Sequence, residues 1–227
     1  MESVFETAWT AAQFNNLELL SSIVPSQIDP NFSSHSDTNH IHTLLMSASA
    51  HGSKECVVYL LQNGAICKTK NHVGYSALHW AAHTGRAECV QVLLNSECSI
   101  EIKTNDGRTP LHIAALRGHI QMIKHLLEMG ANINSVSSNG WNSLHYALIG
   151  NHRQVVEFLL SSGIENDYLD IDSKSQVELA QKMKRQWYQQ LLESNTIKPV
   201  LLEEDDEEEE VIVKKSPKKK TRKNVDK

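Results

Sequence analysis

The sequence predicts an all-α protein: a solenoid of stacked helix-turn-helix units with β-hairpin-like loops, followed by a disordered tail. Two observations lead to this prediction. One segment pattern returns every 33 residues through most of the 227-residue chain, and fixed periods of this size are typical of repeat architectures. Each of the first four segments is also followed by an amphipathic run with apolar residues at helical spacing. One such unit cannot bury its apolar side alone, so neighbouring units must stack.

The period is visible in five aligned segments, which begin at Thr43, Ser76, Thr109, Asn142 and Ser175. They read TLLMSASAHGS, SALHWAAHTGR, TPLHIAALRGH, NSLHYALIGNH and SQVELAQKMKR. The third position is leucine or valine and the sixth is alanine in every segment. These two columns predict one side of a first helix that packs closely on its neighbours. The runs that follow, such as ECVQVLLNSEC, predict a second helix.

The third segment and its continuation, GRTPLHIAALRGHIQMIKHLLEMGANIN, resemble the ankyrin repeat family. The resemblance is strong over residues 43–166 and weaker over about residues 5–195. It implies two antiparallel helices and a protruding β-hairpin-like loop in each repeat, and a non-enzymatic module that binds other proteins. It rests on Thr109-Pro110-Leu111-His112, Ala114-Ala115, Gly118-His119, Leu126-Leu127 and Gly130-Ala131.

Local residues support the start and the turn of each repeat. Thr109 is a good N-cap, and Pro110 needs no N–H partner at the first helical position. A glycine column between the two helices suits a turn with positive φ, and it contains Gly52, Gly85 and Gly118. Asn151 takes the same place in the fourth repeat, and asparagine tolerates that backbone better than most residues.

A second glycine column predicts where the second helices end. It contains Gly64, Gly130 and Gly163, which suit the C′ position of a helix. Glu97 occupies this column in the second repeat. We therefore expect a local cost of about 1 kcal/mol there, or a distorted turn.

The ends of the repeat array are degenerate, as expected where one face of the stack meets water. The predicted organisation has four parts, and we assign the following boundaries: residues 1–37 for a degenerate N-terminal capping repeat and loop; residues 38–170 for four repeats (38–70, 71–103, 104–136 and 137–169); residues 171–196 for C-terminal capping helices; and residues 197–227 for a disordered acidic-then-basic tail.

The repeated histidines His79, His112 and His145 favour a structural role. Facing helices lie about 8–10 Å apart, whereas zinc ligands must all lie about 2 Å from one ion. Each imidazole is therefore expected to bond a loop backbone group or a capping hydroxyl and to tie one repeat to the next. We expect no metal, no cofactor and no catalytic residues, since no P-loop, GxGxxG or G-x-S-x-G motif is present.

Partner binding is predicted on the loops and on the inner face of the first helices. The loop column at the 33-residue period contains Tyr75, Arg108 and Trp141, types that dominate interface energies. The alternative is that these aromatic side chains pack back on neighbouring loops. The predicted partner-binding set is His42, Tyr75, Arg108, Trp141, His72, Val73, His83, Asn105, Asp106, Leu116, Arg117, Ser138, Asn139 and Ile149.

Charge and cysteine usage narrow the class of protein. The net charge is −5, and residues 198–227 contribute nine basic and nine acidic residues, so the body carries the whole −5. An acidic body argues against nucleic-acid binding by the folded part. No secretory signal or membrane span is expected. The four cysteines form no CxxC pair and predict reduced thiols in a cytoplasmic or nuclear monomer.

The tail carries its own predictions. An acidic block at residues 203–210 precedes a basic cluster that resembles a nuclear localisation signal read by importin. Ser216-Pro217 resembles a proline-directed phosphorylation site. Two alternatives stay open: a nuclear regulator whose basic tail contacts nucleic acid, and an assembly chaperone for a large complex. The cluster comprises Lys214, Lys215, Lys218, Lys219, Lys220, Arg222 and Lys223.

Overall fold

The computed structural model describes residues 2–24, 26–34, 42–166 and 174–193. Within these ranges the chain forms paired α-helices and one short two-stranded sheet. The helices are α1 (Glu2–Gln13), α2 (Leu17–Ile23), α3 (Leu44–His51), α4 (Lys54–Gln62), α5 (Ala77–Thr84), α6 (Ala87–Asn95), α7 (Pro110–Arg117), α8 (Ile120–Glu128), α9 (Ser143–Ile149), α10 (Arg153–Ser161), α11 (Gln176–Lys182) and α12 (Gln186–Glu193).

The pairs stack side by side. The first helices form one row, in which α1 packs on α3, α3 on α5, α5 on α7, α7 on α9 and α9 on α11. The second helices form an outer row, with α4 against α6 and α8 against α10. The predicted solenoid of stacked helix pairs is therefore confirmed. Strands β1 (Ser33–Ser34) and β2 (His42–Thr43) pair antiparallel in the first loop.

Caps and turns follow the sequence pattern. Thr43 accepts a hydrogen bond from the amide of Met46, and Pro110 occupies the first turn of α7. Gly52, Gly85 and Gly118 end the first helices in the left-handed conformation. Asn151 adopts the same region with φ 60°, as its position in the column predicted.

Glu97 takes the left-handed backbone that its glycine-bearing equivalents take. Its φ is 62°, against 87° for Gly64 and 89° for Gly130. The turn keeps its left-handed backbone, which is strained for a residue with a side chain because the Cβ lies too close to the following carbonyl oxygen. We expect Glu97→Gly to raise the free energy of unfolding by about 1 kcal/mol in urea denaturation. Glu97→Ala is the matched control, because it removes the carboxylate and keeps the Cβ; an equal gain from alanine would contradict the strain explanation.

The core lies between the two helix rows. The alanine column is fully buried, and so are the leucines at the third position of the repeats. Cys56 and Cys89 are buried on α4 and α6, and burial raises the pKa of each thiol to about 11. These two cysteines pack as small apolar residues and are not activated nucleophiles.

The expectation of four reduced thiols is wrong for one pair. The structure joins Cys67 and Cys98 as a disulfide between the ends of neighbouring repeats, with their Cα atoms 5.9 Å apart. That separation lies in the range that a disulfide spans. The spacing of these residues does not indicate the pair, because the two cysteines occupy different columns and meet only when the repeats stack.

Two polar ladders hold neighbouring repeats together. In the first, the Nδ1 atom of His112 accepts from the Thr109 amide at 3.0 Å, and its Nε2–H donates to the Ser135 carbonyl at 2.8 Å. His79 makes the equivalent bonds to the Ser76 amide, at 3.2 Å, and to the Arg108 carbonyl, at 3.1 Å. His79 thus ties a helix start to a loop of the next repeat, as predicted, and His112 ties one to the segment that leads from its own repeat into the next.

The second ladder joins the turns between the helices. Its members are spaced by 33 residues. Each bonds a carbonyl at the end of the first helix in the preceding repeat. His119 bonds the His83 carbonyl at 2.8 Å, and His152 bonds the Leu116 carbonyl at 3.0 Å. Arg185 continues the series from the C-terminal pair, with its Nε atom 3.2 Å from the Leu148 carbonyl. These bonds fix the register of the stack.

Candidate protein-binding face

The loops that precede the first helices are tight hairpins with the same closing bonds. The amides of Asn71, Thr104 and Ser137 each donate to the carbonyl four residues later, at 2.9 Å in every case. Adjacent hairpins are joined as well, because the Ser138 amide donates to the Asp106 carbonyl at 3.0 Å. The loops therefore form one continuous, internally bonded edge of the stack.

The Tyr75 and Arg108 side chains meet at this edge. The guanidinium carbon of Arg108 lies 5.8 Å from the centre of the Tyr75 ring, a cation–π distance. Its Nε atom lies 2.7 Å from the Asp106 carboxylate. Desolvation opposes ionisation of Asp106, but hydrogen bonds from Thr104 and Arg108 outweigh it and lower the pKa of the carboxyl group. Arg108 is thus a positioned, half-buried cation.

Trp141 extends the edge into the fourth repeat. Its ring stacks on His145 with a centroid distance of 6.1 Å and an interplanar angle of 2°. It also meets the Tyr146 ring edge-on at 5.6 Å. Tyr75, Arg108 and Trp141 are half-buried. They pack on neighbouring side chains and keep part of their surface exposed, and partner contact by these three residues stays a prediction.

The sequence interpretation missed two aromatic residues: Trp80, which is half-buried at this surface, and Tyr146, which is buried beneath it. Trp80 packs on Tyr75 with ring centroids 5.4 Å apart and on His83 at 5.5 Å. Tyr146 bridges Trp141 and His112. The period contained a signal for them, because Trp80, Ile113 and Tyr146 follow the repeated histidines and are 33 residues apart.

The other predicted partner-binding residues divide by exposure. His83, Leu116 and Ile149 are half-buried on the first helices. His42 lies in β2. Partner contact by the whole set stays a prediction. The exposed members are His72, Val73, Asn105, Asp106, Arg117, Ser138 and Asn139.

We define the inner-helix face as the exposed side of α5, α7 and α9 together with loops 71–76, 104–109 and 137–142. The helices α3, α5, α7 and α9 contain no Asp or Glu, and among the described loop residues the face has one carboxylate, Asp106, which Arg108 neutralises. Arg117 is exposed. Desolvation, followed by the charge of Arg117, lowers the pKa of His83.

The carboxylates of the repeats lie on the opposite side. Each second helix of the four full repeats carries one glutamate: Glu55, Glu88, Glu128 and Glu157. Two of these are in exposed ion pairs, Glu88 with Lys54 at 3.4 Å and Glu157 with Arg153 at 2.7 Å. The glutamates of these helices therefore lie on the outer row, together with Lys54, Lys124 and Arg153, and the inner-helix face is cationic and aromatic.

Among residues 2–24, 26–34, 42–166 and 174–193, no three His, Cys, Asp or Glu side chains come together in a way that could hold a metal ion. The tail residues Lys214–Lys223, including Ser216, lie outside the described residues. Within the described part of the chain, no helix is both long and apolar enough to cross a bilayer.

Fold and surface together define a helical-repeat scaffold with an aromatic and cationic face. A family model described as ankyrin repeats (3 copies) matches residues 8–106 and 97–170. The chain belongs to the ankyrin repeat family, whose members are generally non-enzymatic modules that bind other proteins. No curated protein matches the chain.

Proposed function

We propose that this protein is an adaptor or regulator that binds another protein through the inner-helix face. The observation that carries the proposal is a row of aromatic and guanidinium groups across three repeats. It runs from Tyr75 and Trp80 through Arg108 to Trp141, which packs on the buried Tyr146 ring. Such side chains give large contact area with little loss of rotamer freedom, and they are enriched among residues that dominate binding energy.

The packing within the row supports this function. Arg108 is held by Asp106 and by the Tyr75 ring before any partner arrives. The hairpins beneath it are fixed by backbone bonds between neighbouring repeats. A surface organised in advance loses less entropy on binding. Two exposed groups flank the row and are free of the ring stacking: Val73 and Arg117.

Substituting these two flanking residues tests the proposal, because truncating the row itself would remove intramolecular packing. In quantitative affinity purification with mass spectrometry, we expect Val73→Asp with Arg117→Glu to lower partner enrichment at least tenfold, which corresponds to about 1.4 kcal/mol of binding free energy. The thermal midpoint should stay within a few degrees of the parent protein, since both sites are exposed.

A matched double variant controls for charge and solubility. Ile66→Asp with Lys182→Glu makes the same two kinds of change at exposed sites away from the inner-helix face. It should retain the enriched proteins. Identical protein profiles for the two double variants would rule out the inner-helix face as the binding surface.

We also propose nuclear targeting through the basic cluster between Lys214 and Lys223, with importin as the reader. The support is compositional: seven of ten residues there are basic. Phosphate on Ser216 would lower the local positive charge. A fluorescently tagged protein should shift toward the cytoplasm when Lys218, Lys219 and Lys220 become alanine, and Ser216→Asp should shift it the same way by a smaller amount. An unchanged nuclear fraction for the triple variant would remove the targeting proposal.

A further inference from the structure

We propose that residues 200–213 of this chain, VLLEEDDEEEEVIV, bind the inner-helix face and compete there with the protein partner. The inference rests on the proposed function, because it assigns an internal competitor to the same surface. The segment has eight consecutive carboxylates between two aliphatic triplets. The face has the matching chemistry, namely the positive charge of Arg117 in its centre, an exposed Val73 toward one end and a half-buried Ile149 toward the other.

Charge selects this face over the outer row. The first helices of the full repeats have no carboxylate, whereas every second helix has one. Arg117 is exposed, and its field reaches both Tyr75 and His83. Lys70 and Lys103 are exposed at the hairpins and act on the neighbouring imidazoles His79 and His112. The outer row is close to neutral, because Lys54, Lys124 and Arg153 offset most of its glutamates. An acidic segment is therefore attracted to the inner side in preference to the outer side.

The length of the chain allows the contact. Helix α12 ends at Glu193, six residues before Val200. An extended chain covers about 3.3 Å per residue, so Glu203 can lie about 33 Å from the helix end. Helix α11 packs on α9 and α9 packs on α7. At about 8–10 Å per step, α7 is about 20 Å from α11, which places Arg117 within reach of the acidic block.

The spacing of the apolar triplets lets them reach different repeats. Leu202 and Val211 are nine residues apart, about 30 Å in an extended chain. The second and fourth repeats are two steps, or about 20 Å, apart along the stack, so a chain of this length bridges them. With the acidic block over Arg117, the first triplet falls near Ile149 in the fourth repeat and the second near Val73 in the second repeat. Ile149 is half-buried and Val73 is 42% exposed.

The experiment uses the full-length chain with a photo-crosslinking benzoylphenylalanine in place of Leu202 or, separately, of Ile212. After irradiation, adducts are mapped by mass spectrometry. We expect the Leu202 probe to capture α9 and the Ile212 probe to capture α5 or loop 71–76. The yield should be independent of protein concentration and should fall in 1 M NaCl, because the contact is electrostatic.

Charge variants test the cause of the contact. Arg117→Glu, and separately conversion of residues 203–210 to Gln and Asn, should each lower the adduct yield about fivefold or more. Lys54→Glu makes the same charge reversal on the outer helix α4 and should leave the yield unchanged. Far-UV circular dichroism of each variant checks that the helices are intact.

Other outcomes overturn the inference and identify what replaces it. Adducts within residues 214–227 would show that the tail neutralises itself, and adducts to outer helices would reverse the assignment of the face. Adducts that rise with protein concentration would show binding to a second copy. If Val73→Asp with Arg117→Glu removes partners while no adduct forms in the parent protein, this inference fails and the proposed function stands. If adducts form but the double variant keeps its partners, the segment binds the face and the proposed function fails.

Discussion

Gly107→Ala is expected to lower the free energy of unfolding by about 3 kcal/mol, although the substitution removes no side-chain contact. Gly107 has a φ of 79°, which costs alanine about 1 kcal/mol. A Cβ there would also lie 2.6 Å from the backbone nitrogen of Ser138. Because that atom belongs to the bonded edge between hairpins, it cannot move aside as a flexible side chain would, and overpacking adds about 2 kcal/mol.

Gly130→Ala is the matched control for the backbone effect alone. Its φ is 89°, and nothing lies within 4 Å of an added Cβ. We expect a loss of about 1 kcal/mol. Urea denaturation followed by circular dichroism measures both variants, and the difference between them isolates the clash with Ser138. Equal losses would show that neighbouring hairpins can separate without cost, and the rigid edge proposed for partner binding would lose its support.

Acidification from pH 7.5 to pH 5 is expected to lower stability by about 4 kcal/mol through His79 and His112. Burial lowers the pKa of each imidazole to about 4 in the folded protein, from 6.5 when the chain is unfolded. The unfolded chain therefore binds protons first as the pH falls. The stabilisation is complete above pH 6.5 and is lost as the pH falls toward 4, by about 2 kcal/mol per histidine at pH 5.

His112→Gln tests this assignment. Glutamine does not titrate, so the variant should lose about half of the pH dependence between pH 7.5 and pH 5, whatever its stability at neutral pH. His72→Gln removes a histidine from an exposed loop and should leave the slope of the parent protein. Urea midpoints at closely spaced pH values give the profile. A full slope in His112→Gln would place the titrating groups elsewhere.

The periodic features were predictable because each repeat meets the same physical demand. The Ala48 and Ala81 column is buried where first helices touch. Gly85, Gly118 and Asn151 take the left-handed turn that their column required. Glu97 has the backbone of its column although its side chain is unsuited to it, which shows that stacking overrides the local preference of one residue.

The binding face was only partly predictable. The loop column containing Tyr75, Arg108 and Trp141 follows from the period, but their stacking and ion pairing depend on side-chain directions that spacing does not give. Trp80 and Tyr146 were missed because they follow the structural histidines within a helix, where an aromatic residue is equally compatible with the core.

The sequence by itself determined the family, the helix pairs, the turns and the structural role of the histidines, because stacking places the same requirement on every unit and the requirement recurs as a column. The tertiary structure alone decided what differs between units: the pairing of Cys67 with Cys98, the Tyr75–Arg108 contact, and the placement of the helix glutamates on the outer row, away from a cationic inner face. These contacts join different columns of neighbouring repeats, and only the stacked arrangement brings those columns together.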